Sequence, residues 1–372
     1  MQVEIRLKEI LRRHGRWQHG IERKLAEYCG VDRHVIGKLL RNQVKRPSLE
    51  VLGKLSRWLI DNAGVPEDQL PQALLGAQPP KLWRAIGVAP RVAVYLGSRH
   101  IERPKGPVPA RRSISRRDAQ LESQITALLS SGEMGMKRPV RAHYVPFRFS
   151  QKKSQRAKGQ FEEDKKGAQN LFKKMREAQP DENAILIGSQ RANHVVEVLM
   201  ADLFGCKPFV LCRKEIRIPV YLAYRNFDRP VPSCFGGRGN PPGRKGKVRP
   251  GTYYRKKTEK GEEWALWEWK ECTQDAGMVV ISYDKTTQGM ELGAFGFSGW
   301  STRALESQLF DEKKCAQFWP PAAEKSGRQV GVYICEMTFR EKKPSSWGDE
   351  VFEVDEISVV ALEKDVLEKY LR

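Results

Sequence analysis

The stretch ERKLAEYCGVDRHVIGKLLR, residues 22–41, decides how the chain begins. Two helices joined by a tight turn need a small residue in the first, a glycine at the turn and apolar residues in the second that face back. Ala26, Gly30 and Ile36 meet those needs, and Leu25, Val31 and Leu39 complete the inner face. Asp32 stands where a side chain can cap the second helix. Upstream, Val3, Leu7, Ile10 and Leu11 fall on one face of a helix over 3–14. Downstream, Ser48 precedes a fourth helix over 49–59, Pro66 and Pro71 then interrupt, and Gln78-Pro79-Pro80 reads as a linker.

With the continuation KRPSLEVLGKLSRWL (45–59), residues 1–62 resemble the lambda-repressor-like (Cro-type) helix-turn-helix family. Type and spacing agree at six positions, while the stretch Arg16–Gly20 is longer and more basic than that pattern has. The resemblance implies that the helix beginning at Arg33 lies in the major groove of double-stranded DNA. Its outward residues are then Arg33, His34, Gly37, Lys38 and Arg41, with Asn42 just beyond. Arginine and lysine pair with guanine edges and asparagine with adenine. Gly37 is costly inside a helix and is expected to permit close approach to the duplex. Lys45 and Arg46 are expected on phosphates, which position a protein without specifying sequence.

Beyond the linker the pattern changes. Short apolar, β-branched runs at 92–96, 185–187, 220–223, 278–283, 292–297, 330–335 and 357–361 alternate with helical stretches at 115–129, 161–178, 193–204 and 302–310. The expected fold class is therefore α+β and multidomain, an N-terminal all-α helix-turn-helix bundle followed by an α/β domain with a mostly parallel sheet. The expected boundaries are 1–76 for the first domain, 77–138 for a basic linker and connecting helix, and 139–372 for the α/β domain. Within the last, 234–260 is so rich in glycine, proline and basic residues that it reads as a long mobile loop until its end.

Two strand–loop–helix units stand out. NAILIGSQRANHVVEVLMADLFG (183–205) places Gly188, Ser189, Arg191 and Asn193 between a strand and a helix, and ELGAFGFSGWSTRALESQL (291–309) does the same with Gly296, Gly299, Ser301 and Thr302. Such loops lie beyond the carboxyl ends of strands, where ligands of α/β sheets sit, and free N–H groups at a helix start attract an anion. These eight residues are the candidate ligand site, with ordinary capped turns as the competing reading. Neither loop is a P-loop or a G-x-G-x-x-G. The second unit, with DAGMVVISYD (275–284), and the stretch SRRDAQLESQITALLS (115–130) look like parts of an uncharacterised α/β domain attached to helix-turn-helix proteins of bacteria, which implies a regulator and brings no ligand with it.

Charge points to a polyanionic partner: 66 Lys+Arg against 45 Asp+Glu give a net +21. The excess is in blocks, 14 basic against 6 acidic residues over 1–60, 15 against 4 over 99–158 and 15 against 3 over 207–260. The basic loop 238–257 thus offers a clamp for DNA phosphates, set against a merely solvated loop. Trp264, Trp267 and Trp269 read as packing residues, with base stacking as the minority role. Seven scattered cysteines without a C-x-x-C pair, no apolar signal core in MQVEIRLKEILRRHG and no apolar run of spanning length lead to the expectation of a cytoplasmic protein with no membrane partner. The six histidines show no metal spacing, so no catalytic residue, metal or cofactor is expected; His194 and Glu197 stand near the first loop as ambiguous residues. The function expected is a sequence-specific DNA-binding transcriptional regulator whose α/β domain senses a small anionic ligand, working as a homodimer on paired half-sites. A nucleic-acid-targeted enzyme acting on a nucleotide, or a sequence-indifferent DNA-binding or defence protein, stays open as an alternative.

Overall fold

Apolar residues recurring every three to four positions produce four helices among the described residues of the first 65: α1 (Leu7–Arg13), α2 (Ile21–Cys29), α3 (Arg33–Leu40) and α4 (Leu49–Ala63). Gly30, at φ 66°, ends α2 in the left-handed conformation that glycine adopts without steric cost, and Gly64 ends α4 likewise at φ 67°. Asp32 caps α3, its Oδ1 accepting the His34 N–H at 2.6 Å, whereas Ser48 precedes α4 without a side-chain capping bond. Lys54 Nζ donates to the carbonyl of Cys29 at 3.2 Å and ties α4 to the end of α2. The four helices close on one core that includes Leu7, Leu11, Leu25, Ile36, Leu39, Leu55 and Leu59, all at most 1% exposed. Each such side chain contributes about 1.5–3 kcal/mol by leaving water, which offsets the weak intrinsic stability of helices this short.

The computed structural model describes residues 7–41, 43–44, 48–65, 81–101, 111–131, 137–148, 155–179, 181–210, 217–224, 232–259, 261–341 and 352–372. Asn42, Lys45, Arg46, the prolines at 66 and 71 and the linker at 78–80 lie outside the described residues. The chain divides into two compact units, 1–79 with 128–138, and 80–127 with 139–372.

The second unit is mixed α and β and is built on a nine-stranded sheet. In chain order it contains α5 (Lys81–Ile86), β1 (Arg91–Ile101), β2 (Arg111–Ile114), α6 (Arg116–Ser130), β3 (Val140–Arg148), α7 (Gln155–Glu177), β4 (Glu182–Ile187) and α8 (His194–Leu203). There follow β5 (Val220–Ala223), β6 (Gly236–Gly237), β7 (Gly251–Thr258), β8 (Gly261–Glu268), β9 (Gln274–Asp284) and β10 (Met290–Gly296). Short helices α9 (Gly299–Ala304), α10 (Glu306–Leu309) and α11 (Glu312–Cys315) precede β11 (Ala323–Lys325), β12 (Arg328–Glu341), β13 (Phe352–Ala361) and α12 (Lys364–Tyr370).

The large sheet runs β11-β12-β9-β10-β4-β1-β2, with β13 also on β12 and β3 also on β1. It is mixed, which corrects the expectation of a mostly parallel sheet. Among the described residues of this sheet only the β1–β3, β1–β4 and β4–β10 pairs are parallel; β9, β11, β12 and β13 pair antiparallel. The reason lies in connection length. β9 ends at Asp284 and β10 begins at Met290, and β12 ends at Glu341 with β13 beginning at Phe352. A parallel crossover takes a dozen or more residues, so these links close hairpins. Apolar runs announce strands without announcing their direction.

A second correction concerns 77–138. It is no mere linker: β1 is a central strand, paired to β3 on one side and β4 on the other, and Val92–Leu96 are at most 3% exposed. Residues 80–127 cluster with the sheet unit and 128–138 with the first unit. A four-stranded sheet, β6-β5-β7-β8, shares the core of the larger one, with Tyr221, Leu222 and Tyr253 buried among the same residues as Phe204, Met278 and Phe295. α7 and α8 pack together and over β3, and α8 also over β4.

Candidate functional site

The parallel strands stand in the order β3-β1-β4-β10. The chain passes from β1 to β3 on one flank and then crosses to β4 on the other, so a topological switch lies at β1, and the loops beyond the carboxyl ends of β1, β4 and β10 are where an α/β sheet holds a ligand. Both predicted loops leave that edge. They are neighbours, joined by the Gly188 N–H donating to Ala294 O at 3.3 Å.

The first loop is a tight turn closed on itself. Ser189 O accepts the N–H groups of Ala192 (2.8 Å) and Asn193 (2.7 Å), and Gly188 sits at φ 96°. Asn193 is fully buried: its Oδ1 caps α8 through the Val195 N–H at 3.1 Å, and its Nδ2 donates to Tyr95 O at 2.9 Å and Ile187 O at 3.0 Å. It therefore ties the ends of β1 and β4. Ser189 is half-buried, and the half-buried Arg191 lies over Tyr224, 5.4 Å from the ring centre.

The second loop is also self-satisfied. Ser298 Oγ caps α9 by accepting the Trp300 N–H at 3.1 Å and donates to Asp275. Ser301 Oγ accepts the Ser298 N–H at 3.2 Å, and Thr302 Oγ1 accepts the Gly296 N–H at 3.0 Å. Gly296 has no room for a side chain, since a Cβ would stand 2.2 Å from Ser301 Oγ. Of the eight predicted ligand residues, Asn193, Ser301 and Thr302 thus hold their loops together, while Ser189 and Arg191 keep exposed surface.

Sequence reading missed what the loops converge on, the first turn of α6. A Cβ on Gly188 would lie 3.0 Å from Asp118 Oδ2, and one on Gly299 would lie 3.3 Å from Arg117 Cδ. The Arg117 guanidinium stacks 3.6 Å from the centre of the Trp300 ring. Burial pushes the Asp118 carboxyl up to about 6, with Arg117 pulling the other way. Asp275 also rises to about 6 through burial, opposed by its bonds from Ser298 and the Ala276 N–H. Asp275, Ser298, Trp269, Trp300, Phe339 and Phe352 line a small cavity of about 130 Å³. A larger one, about 790 Å³, opens in the same unit among Phe172, Phe204, Tyr370, Arg217 and Arg372. At its wall Asp202 is held by Arg176 at 2.9 Å, and Arg328 reaches the same carboxylate at 3.2 Å. Nothing in the spacing of Asp118 or Asp275 marks them, because partners far along the chain bury them.

The two ambiguous residues near the first loop prove to be interior. His194 is 3% exposed, with the rings of Phe161 and Phe209 edge-on at 5.9 and 5.6 Å, and burial together with Lys165 pushes its pKa down to about 4. The Glu197 carboxylate is a clamp, accepting from two backbone N–H groups and one hydroxyl. Trp264 and Trp267 are half-buried and donate their indole N–H groups to Pro242 O (3.3 Å) and Asp275 O (2.8 Å), while Trp269 lies against Phe297.

In the first unit, α3 turns two faces outward and inward. Ile36, Leu39 and Leu40 are buried, and Arg33, His34, Lys38 and Arg41 are exposed. At 100° per residue these four span an arc of about 140°, and the exposed Val35 lies about 60° beyond it. Gly37 stands inside that arc yet is not exposed, which corrects its assignment to an open surface: Arg41, one turn on, folds its guanidinium back so that a Cβ at Gly37 would meet it at 3.2 Å. Arg33 Nε also lies 3.5 Å from Glu22 Oε2, and Arg41 Nε donates to Gln43 Oε1 at 3.2 Å. Among the described residues, no helix is long and apolar enough to cross a membrane. No family model matches the chain, and the comparisons find no significant likeness to a curated protein or a solved structure.

Proposed function

We propose that the chain is a sequence-specific DNA-binding transcriptional regulator, with residues 1–62 as a Cro-type helix-turn-helix and the sheet unit as the part that senses a small anionic ligand. The observation that carries the reading is the division of α3 into a buried apolar side and an exposed basic side, after a glycine turn at Gly30 and the Asp32 cap. A helix kept only for packing has no reason to leave Arg33, His34, Lys38 and Arg41 together on its outer arc. Inserted in a major groove, Arg33 and Lys38 face base edges, and Lys45 and Arg46 serve the flanking phosphates. Two copies on paired half-sites multiply the affinity of so small a contact.

For the ligand half, support comes from the cavity of about 790 Å³, within the range of small-molecule sites, where Arg217, Lys369 and Arg372 outnumber the one carboxylate, Asp202, which Arg176 and Arg328 also hold. The glycine loops contribute less, since most of their polar groups are bonded within the loops.

Selection of bound duplexes from a random pool by the full chain tests the proposal. A defined motif is expected to be enriched. Arg33→Ala or Lys38→Ala should then erase the preference at one or two base pairs, a loss of about 1–3 kcal/mol of discrimination at each. Lys45→Ala with Arg46→Ala should weaken all duplexes alike. An unenriched pool, or identical behaviour of the two sets, would overturn it.

A further inference from the structure

The basic segment that follows β5 is the feature which the proposed reading leaves unused. From residue 232 to 258 the chain carries eight basic residues and no acidic one. The expectation of a mobile loop does not describe its interior. Asn240 Nδ2 donates to Gly246 O at 2.8 Å and closes 240–246 on itself. Tyr253 Oη donates to Arg249 O at 3.0 Å and approaches Asn240 Oδ1 at 3.3 Å. From β8, Trp264 Nε1 donates to Pro242 O at 3.3 Å. Cys234 and Phe235 are buried at the start of the segment, as Tyr253 and Tyr254 are at its end. The loop is thus fastened at both ends and in the middle, over the face of β7 that carries Tyr253 and Arg255.

What the fastening presents is charge. Arg238, Lys245, Lys247 and Arg249 are exposed along the loop, and Lys256 along β7. Arg244 sits over the Tyr253 ring at 4.7 Å and Arg255 over Trp264 at 4.2 Å. Of the acidic residues of β8, Glu262 is held by Lys369 at 2.9 Å and by Tyr370 Oη at 3.0 Å, while Glu263 stands opposite Lys256 in the β7–β8 ladder, so the uncancelled charge is that of the loop. Arg249 lies 3.4 Å from Glu268, at the long end of a hydrogen bond and exposed to solvent, where an ion pair contributes little.

The ring contacts also decide the mode of binding. A base stacks on an open aromatic face, but Tyr253 is fully buried beneath Arg244, Trp264 carries Arg255, and Trp264 and Trp267 both pack against the core. Phosphates remain as the groups this surface can hold. We infer that the loop 238–249 with the adjoining strand β7 is a second nucleic-acid surface, located on the sheet unit, that grips the phosphate backbone of DNA without reading bases. It does not require the N-terminal helices to bind DNA, and it uses eight of the fifteen basic residues over 207–260, which a helix-turn-helix alone does not use.

The test is the salt dependence of binding by the full chain to a random-sequence duplex, for the wild type and for K245Q/K247Q/R249Q. All three side chains are exposed; the Arg249 carbonyl, which stays, takes the Tyr253 bond, and its side chain gives up only the weak exposed contact to Glu268, so the variant keeps its loop. Each phosphate contact contributes about 0.9 to the slope of log Kobs against log salt. The triple variant is expected to lower the slope by about 2–3, and by the same amount in a background of R33A/K38A. K313Q/K314Q, a pair of exposed charges on α11, is expected to leave the slope alone. A slope unchanged in the triple variant overturns the inference whatever the α3 substitutions do, and so does an equal loss from K313Q/K314Q. Single strands of the same length should bind with no quenching of tryptophan fluorescence; saturable quenching that disappears in W264F would replace a phosphate grip by base stacking and overturn it as well.

Discussion

Glu197 on α8 accepts the backbone N–H of Cys234, 37 positions further along the chain, at 2.7 Å. The same carboxylate oxygen takes the Phe209 N–H at 2.9 Å, and the other takes the Ser233 hydroxyl at 2.7 Å. One buried carboxylate thus fastens two irregular segments, around 209 and 233, onto a helix of the core. Burial raises its pKa, and hydrogen bonds from Cys234, Ser233 and Phe209 pull it back down.

Removing this group is expected to be worse than neutralising it. Glu197→Ala leaves three buried donors without an acceptor, at a cost of about 3–5 kcal/mol. Glu197→Gln keeps a carbonyl for the two N–H groups, asks the Ser233 hydroxyl to turn and accept, and leaves its second amide N–H without an acceptor from this set, at about 1–3 kcal/mol. With its folded pKa raised, the wild-type carboxyl binds its proton more tightly folded than unfolded, so its contribution to stability falls as pH rises from the ordinary carboxylate range toward the raised value. The glutamine variant lacks that fall. Urea unfolding at pH 4 and pH 8 measures both effects, and equal destabilisation by Ala and Gln would show that the clamp is not what holds these segments.

Much of the secondary structure was legible because each signal was local. Three-to-four spacing gave α2 and α3 their limits, and Asp32 and Gly30 fixed the turn between them. Runs such as 278–283 and 330–335 were strands on sight. What stayed hidden was set by partners distant in sequence. β3 carries Arg141, His143 and Arg148 and shows no apolar run, yet it pairs along nine positions of β1. The antiparallel half of the sheet follows from link lengths, which matter only once the strands are known. The candidate site divides in the same way: glycine loops announce themselves by composition, whereas Asp118 looks like one more polar residue of an amphipathic helix until Gly188 closes over it.

Close approach at the site makes two glycines behave differently. A Cβ at Gly97 would stand 2.1 Å from the carbonyl oxygen of Ala192, which is backbone fixed by the turn at Ser189. A Cβ at Gly299 would meet the Arg117 side chain at 3.3 Å, and that chain is flexible. Gly97→Ala is therefore expected to destabilise by about 1–3 kcal/mol and to displace the loop 188–193, while Gly299→Ala should cost well under about 1 kcal/mol. Denaturant midpoints compare the two, and limited proteolysis around 188–193 reports the displacement. Similar midpoints would mean that the loop can move off β1 freely.

The carboxyl of Asp118 offers the sharpest dependence on pH. Its pKa rises from 3.8 to about 6 because it is 4% exposed, and Arg117 only partly compensates, since that guanidinium lies on the Trp300 ring. A raised acid pKa means that the folded state holds the proton longer than the unfolded one. Wild-type stability from this group is therefore full below about pH 4, falls between about pH 4 and 6, and is level above. Asp118→Asn cannot ionise, so the stability of the variant relative to wild type should climb across that window and then flatten. The rise from 3.8 to about 6 caps the climb at about 3 kcal/mol, less whatever the second amide N–H costs if it finds no acceptor. Denaturation at pH 4, 5, 6 and 7.5 traces the difference. A difference that stays flat, or that shrinks as pH rises, would mean that Arg117 leaves Trp300 to pair with an ionised Asp118, and the first turn of α6 would then meet the two loops as an ion pair instead of a neutral acid.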